Sequence, residues 1–454
     1  MTRKVYIIDV TNRDGVQTAR IGLSKLQKTM INLYLSRMGI YQVELGFPFT
    51  EQEKNYINAN ESLQKKGALK NLVLEGWCRA VKSDVEKAME YTNLKALNLS
   101  ISTSEIMTEG KFKGSVVRRP EEDPSKRNLI DTMQTAVKTA LSKGVEYVGV
   151  NAEDASRTDI EYLIDFGFAA KAAGACRLRY CDTLGYDTPE TIYERVKKLA
   201  EEVKIDIEPH CHNDLGCAVG NSIMAAMGAI DAGVDAYINT TVNGYGERAG
   251  NADLVSCLLM LKYGSRMPER GFEIGDIDLK MFRKISKYAA HAFDQPMPIN
   301  QPAVGNNAFA HESGIHTDGA LKDRHNYELF DYDIFGDYNE YAHIPGKYRS
   351  ESSIAYFGDV KLYENDLYEN KDRVILAGEY GGMAGLKHVY GLLNIEFKDD
   401  ESAKWCLDLV RQANAHNQMP LTNDELRFIA AYPEETSMIL SVDYIKTPEF
   451  VLSR

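Results

Sequence analysis

Lys204-Ile205-Asp206-Ile207-Glu208-Pro209-His210-Cys211-His212-Asn213-Asp214 is the stretch on which the fold turns. It opens as a short β-type run and ends in two histidines one residue apart. Alternate side chains of an extended chain share a face, so His210 and His212 point one way and Cys211 the other. Two imidazoles about 7 Å apart along a strand can converge on one divalent ion. The plainer reading is two histidines at a strand end, each satisfied by a hydrogen bond. Their neighbours weigh towards a metal.

Outward from this run, residues 1–260 alternate short β-rich runs with longer amphipathic stretches. The apolar runs are Val5–Val10, Tyr41–Leu45, Leu72–Leu74, Ala96–Ile101, Tyr147–Val150, Arg177–Cys181, Ile205–Pro209 and Ala236–Val242. Helical patterns lie between them, including Ser24–Met38, Asp84–Tyr91, Asn128–Ser142, Asp159–Ala173, Pro189–Val203 and Asn221–Ala232. Ser24, Asp159 and Thr188-Pro189 read as helix starts, and Gly39, Gly144, Gly174 and Gly233 as ends. Eight strands alternating with helices predict an α/β fold, a (β/α)8 TIM barrel, with a doubly wound open sheet as the alternative. The strand ends decide between them. Nearly every one carries a reactive group: Arg13-Asp14, Glu44, Arg79, Ser102, Glu153-Asp154, Asp182-Thr183, His210/His212/Asp214 and Asn243 through Asn251. An open sheet would gather such groups at one switch point. The barrel is expected.

Beyond residue 260 the alternation stops. A polar loop and a helix (Leu279–Phe293) precede a Gly-rich polar passage, Val304–Gly319, and the tail from about 345 is helical in character. The expected organisation is a catalytic barrel over 1–265, a linker and lid subdomain over 266–344, and a smaller helical C-terminal subdomain over 345–454.

Composition narrows the class. A 454-residue chain with 44% hydrophobic and 26% charged residues reads as an ordinary globular protein. A net charge of −13 argues against nucleic acid or an acidic membrane surface as partner. Seven scattered cysteines without a CxxC pair read as reduced thiols. Met1–Lys4 run straight into the first strand, and no run of about 18 apolar residues occurs, so a cytoplasmic protein is expected.

In a closed eight-strand ring, strands one and seven are separated only by strand eight, so Asp14 can share the mouth with His210 and His212. That mixed nitrogen and oxygen set suits Mn²⁺, Zn²⁺, Co²⁺ or Mg²⁺. Asn251 is a candidate further ligand or a loop-capping amide. Arg13 could hold a substrate carboxylate or a developing oxyanion, or form a structural ion pair with Asp14 or Glu44. Glu153 is placed for acid–base work, and Thr183 for donating to a carboxylate or satisfying backbone.

Four motifs occur in order: Arg13-Asp14-Gly15-Val16-Gln17, His210-Cys211-His212-Asn213-Asp214, Asn243 through Asn251, and Asn307 through His316. Together they resemble the metal-dependent acyl-CoA Claisen-condensation enzymes, the DRE-TIM metallolyase family of homocitrate and isopropylmalate synthases. The similarity covers about residues 5–340. It implies an acyltransferase barrel with a helical subdomain, acting as a homodimer on acetyl-CoA and a 2-keto acid with a divalent metal, Mn²⁺ favoured. By that resemblance Asp14, His210 and His212 are the metal ligands, with Asn251 nearby. Arg13 stands at the metal and Thr183 on the keto acid. His316 and Tyr327 match the histidine and tyrosine that a subdomain lays over the partner's barrel. A base, with His316, Tyr327 and Glu153 as candidates, takes a proton from the acetyl methyl. The enolate then attacks the ketone, and thioester hydrolysis drives the reaction. Lys111, Lys113, Arg118 and Arg119 offer charge for CoA phosphates, or form a solvated basic loop.

Departures from the family pattern address the keto acid. Asn12 stands where relatives usually have leucine. Gly149 and Asn151 occupy the strand-five positions where homocitrate synthases carry arginine and serine. Arg79 could instead clamp the nearer second carboxylate of a four-carbon diacid. The pattern as a whole is most similar to the Re-face citrate synthases within the family, which implies oxaloacetate as acceptor and a place in a tricarboxylic acid cycle. Homocitrate synthase is the runner-up. An HMG-CoA-type lyase or a carboxyltransferase barrel shares the HxH logic, but a carboxyltransferase would show a lysine ending a strand. A non-catalytic binding barrel would leave the ligand set without a use.

Overall fold

The computed structural model describes residues 2–112, 126–311, 313–336 and 381–441. Eight parallel strands form a ring: β1 (Arg3–Asp9), β2 (Gln42–Gly46), β3 (Val73–Arg79), β4 (Ala96–Ser102), β5 (Tyr147–Glu153), β6 (Arg177–Asp182), β7 (Asp206–Cys211) and β8 (Ala236–Thr240). Each pairs with the next, and β1 pairs with both β8 and β2, which closes the barrel. A short ninth strand, β9 (Phe272–Ile274), adds to the start of β1 and was not legible as a strand in sequence.

Helices α1 (Lys25–Met38), α2 (Glu51–Lys65), α3 (Lys82–Tyr91), α4 (Glu105–Phe112), α5 (Lys126–Ser142), α6 (Ile160–Ala173), α7 (Pro189–Val203) and α8 (Ala218–Asp231) connect the strands. Helix α9 (Leu254–Tyr263) follows β8. The expected helix starts are real caps. Ser24 and Gln27 bond reciprocally across the first turn of α1, Asp159 accepts from the Tyr162 N–H, and Thr188 opens α7 with Pro189 in its first turn. At the end of α1, Gly39 has φ +90°, and a Cβ there would meet the Asp276 carbonyl at 2.3 Å, so glycine is required twice over.

The barrel is apolar outside and polar within. Val5, Ile7, Val43, Leu45 and Leu74 are buried in the apolar core that the helices share. The alternate residues Glu44, Glu75, Arg177, Arg179, Glu208 and Asn239 are buried too, and they pair with one another instead. Past the barrel come α10 (Met281–Ala292) and α11 (Gly314–Lys322). Four tail helices, Met383–Leu392, Asp400–Asn417, Asn423–Ala431 and Pro433–Leu440, complete the described chain. They reach back onto the barrel helices: Tyr34 donates to Asp424 at 2.7 Å, Tyr288 to Glu425 at 2.9 Å, and Lys66 pairs with Glu435 at 2.7 Å. Among the described residues no helix is long and apolar enough to cross a membrane. All seven cysteines are free.

Candidate active site

Asp14 sits in the tight turn that follows β1, where the Val10 carbonyl accepts the Asp14 N–H at 2.8 Å. This turn carries its carboxylate to the histidines of β7, one strand removed across β8. The Asp14 Oδ2 lies 3.1 Å from His210 Nε2 and 3.6 Å from His212 Nε2. One ligand atom from each of the three falls within 4.8 Å of the others, and all three residues are buried. Asn251 joins them by donating to Asp14 Oδ2 at 2.9 Å, while its own oxygen is buried with no hydrogen-bond partner. Two imidazole nitrogens, a carboxylate and a spare amide oxygen around one point fit a divalent cation.

Electrostatics keeps these groups in ligand form. Burial pushes the Asp14 carboxyl up, but Arg13 and the neighbouring His210 outweigh it and hold it well below the usual carboxylate range. Burial, then the neighbouring His210, depresses His212 to about 4, so its ring is neutral. His210 Nδ1 faces Asn239 Oδ1 at 3.0 Å, which aims Nε2 at the site.

Arg13 forms the expected ion pairs with both Glu44 and Asp14. Its Nε donates to Glu44 at 2.5 Å and its Nη1 lies 3.3 Å from Asp14, with Trp77 beneath at 5.8 Å. The remaining terminal nitrogen is buried and unpaired, beside the metal cradle. Glu153 ends β5 as expected and takes hydrogen bonds from Ser102 and, at 2.6 Å, from Lys111 Nζ. Lys111 pairs with the acid while its side chain stays exposed; Lys113, Arg118 and Arg119 lie outside the described residues. Thr183 accepts the Asp154 N–H at 2.9 Å, which leaves its hydroxyl hydrogen available. Arg79 is not open: its fork grips Asp84 at 2.7 and 2.9 Å. His316 and Tyr327 stack at 4.1 Å, with His311 6.3 Å from the first. Among the described residues no hydrogen bond or ring contact joins this pair to Asp14, His210 or His212.

Sequence reasoning passed over the layer below. Arg179, fully buried, donates to Glu44 at 2.6 Å and to Glu208 at 2.7 Å, and Arg177 pairs with Glu75 at 3.0 Å. Asn239 donates to Glu208 at 2.8 Å. The signal was present as charge at every second residue, Arg177/Arg179 and Glu208/His210/His212, on strands read only as apolar runs.

A closed (β/α)8 barrel with a two-imidazole, one-carboxylate cradle and an arginine at its mouth defines the class, a barrel enzyme with a candidate divalent-metal site. More narrowly, the chain belongs to the HMGL-like family, whose model matches residues 4–288, and a homocitrate synthase post-HMGL domain-like model matches residues 303–359. The Citrate (Re)-synthase of Dehalococcoides mccartyi is 51% identical to it, covering 97% of this chain and 98% of that protein. The 2-isopropylmalate synthase 2 of Caldanaerobacter subterraneus is 43% identical over 72% of this chain and 79% of its own. Among solved structures, hydroxymethylglutaryl-CoA lyase from Pseudomonas aeruginosa matches 65% of this chain and 95% of its own with a TM-score of 0.52 at 16% identity, a likeness of fold.

Proposed function

We propose that this chain condenses acetyl-CoA with oxaloacetate to give citrate and CoA, on a divalent metal for which Mn²⁺ is the favoured ion. The observation that carries the reading is the convergence of Asp14, His210 and His212, with the free guanidinium nitrogen of Arg13 beside them. When bound there, a divalent ion supplies Lewis-acid polarisation of a ketone oxygen. Arg13, fixed by Glu44, donates to the oxyanion that grows as the new carbon–carbon bond forms. Thr183 donates its hydroxyl hydrogen to the keto acid's carboxylate. Glu153, steadied by Lys111 and Ser102, orients or moves a proton at the mouth. His316 and Tyr327 are the other candidate bases. Helix α11, which carries His316, buries none of its residues and exposes Ile315 and Leu321 at 75% and 77%. Such a helix suits a surface on a second copy, and a homodimer is part of the reading.

Gly149 favours a four-carbon diacid over 2-oxoglutarate. A Cβ at this position would lie 2.7 Å from Asn98 Nδ2, so an arginine here would have to displace the Asn98 amide before it could reach a distal carboxylate. Arg79 stands at the end of β3, where a substrate carboxylate would have to displace Asp84 from its fork. The 51% identity to a Citrate (Re)-synthase over nearly the whole chain supports the same acceptor.

The test is thiol release from acetyl-CoA, with Mn²⁺ present, using oxaloacetate, 2-oxoglutarate, 2-oxoisovalerate and pyruvate in turn. Oxaloacetate alone is expected to release CoA at a substantial rate. Release confined to 2-oxoglutarate would move the protein to homocitrate synthesis.

A further inference from the structure

We propose that Arg179 is a positioning residue for the condensation, tying Arg13 and His210 into one hydrogen-bonded chain beneath the reacting atoms. The inference rests on the metal-dependent reading of the site above it. From Arg13 the path runs through Glu44 at 2.5 Å to Arg179 at 2.6 Å, then to Glu208 at 2.7 Å. It continues to Asn239 at 2.8 Å and His210 at 3.0 Å, and Asp14 lies between the two ends, 3.1 Å from His210 Nε2 and 3.3 Å from Arg13. Every member is buried, and the Arg179 side chain has no exposed surface.

The direction of each bond in this chain follows from Arg179. A guanidinium only donates, so Glu44 and Glu208 both accept from it as carboxylates. Glu208 as an acceptor orients the Asn239 amide nitrogen towards itself. The Asn239 oxygen is thereby presented to His210 Nδ1, which must carry the hydrogen, and Nε2 is left with its lone pair facing Asp14. On the other arm, Glu44 held from below fixes Arg13 through Nε and leaves a terminal nitrogen for the substrate. Without Arg179, Glu208 keeps only Arg177, 3.2 Å from its other oxygen. The Asn239 amide is then free to turn over, and the His210 tautomer is no longer specified. Lysine, one point charge without a fork, cannot serve both carboxylates equally.

Arg179→Met, Arg179→Lys and Asn239→Leu distinguish the two arms. Calorimetric titration of Mn²⁺ into each metal-stripped protein, with circular dichroism and melting to check the fold, reads the His210 arm without turnover. Steady-state KM and kcat for oxaloacetate read the Arg13 arm. Arg179→Met is expected to weaken Mn²⁺ binding about 10–100-fold and also to lower kcat. Arg179→Lys should recover part of both, and Asn239→Leu should lose Mn²⁺ affinity with a smaller fall in kcat at saturating metal. A folded Arg179→Met protein with wild-type Mn²⁺ affinity and kcat overturns the proposal. Should that variant not fold, Asn239→Leu, which strands no charge, decides: unchanged Mn²⁺ affinity overturns it. A wild-type protein that binds Mn²⁺ but condenses no keto acid defeats the functional reading and leaves the metal arm still measurable.

Discussion

Glu75, deep inside the barrel, shows how tightly charge is balanced at the level of single residues. Arg13, Arg177 and Arg179 face the carboxyls of Asp14, Glu44, Glu75 and Glu208, three cations against four acids. Burial raises the Glu75 carboxyl to about 8 despite the pull of Arg177, with Glu208 and Glu44 adding to the rise. A carboxyl whose folded value exceeds its unfolded value, here 4.5, stabilises the fold fully below that lower value and loses its contribution as pH climbs through about 8. Urea midpoints between pH 5 and 9 should therefore fall more steeply for wild type than for Glu75→Gln; parallel curves would contradict the assignment. None of this was legible in sequence, where Arg177 and Arg179 were read as part of an apolar run. The ligands at the strand ends were legible, because a histidine or aspartate there has few structural uses.

At the scale of elements, the alternation of strand and helix was readable and the strand lengths were not. The run assigned to Leu72–Leu74 is a strand from Val73 to Arg79, and that assigned to Tyr147–Val150 extends to Glu153. Both were cut short where inward-facing Glu75, Trp77 and Asn151 interrupt the apolar residues. A polar barrel interior defeats a search for apolar runs. Helix α2 was passed over for a related reason, since it buries Asn60 and Glu61 beside its apolar residues. Packing of β5 against β4 carries a prediction of its own. Asn98 and Gly149 are opposite one another in the ladder, and a Cβ on Gly149 has 2.7 Å to Asn98 Nδ2. Gly149→Ala should cost about 1–3 kcal/mol by chemical denaturation, and Asn98→Ala in the same background should recover most of it. A free gain of the methyl would mean that the two strands have room to spare, and the argument against a strand-five arginine would weaken with it.

Across the whole molecule, polar contacts hold the tail to α10 and to the barrel helices, and around Glu425 they are buried. Glu425 accepts from Tyr288 at 2.9 Å and from Asn417 at 3.1 Å, and it closes a capping box with Thr422 at 2.7 Å. Glu425→Ala removes the box and strands two buried donors, and should lower stability by on the order of 2–3 kcal/mol. A melting temperature within a degree of wild type would mean that the tail is held by other contacts. The barrel itself was readable at this scale because ring closure brings the ends of strands one and seven together whatever the loops do. Among the described residues, the ring contacts of His316 and Tyr327 are with each other and with His311.

The claim on which the account rests is that Asp14, His210 and His212 grip one divalent ion. Titrating Mn²⁺ into metal-stripped wild-type protein in a calorimeter, beside Asp14→Ala and His210→Ala of verified fold, tests it most directly. The account predicts one site per chain in wild type and none in either variant. Equal binding by all three proteins, or none by the wild type, would contradict it.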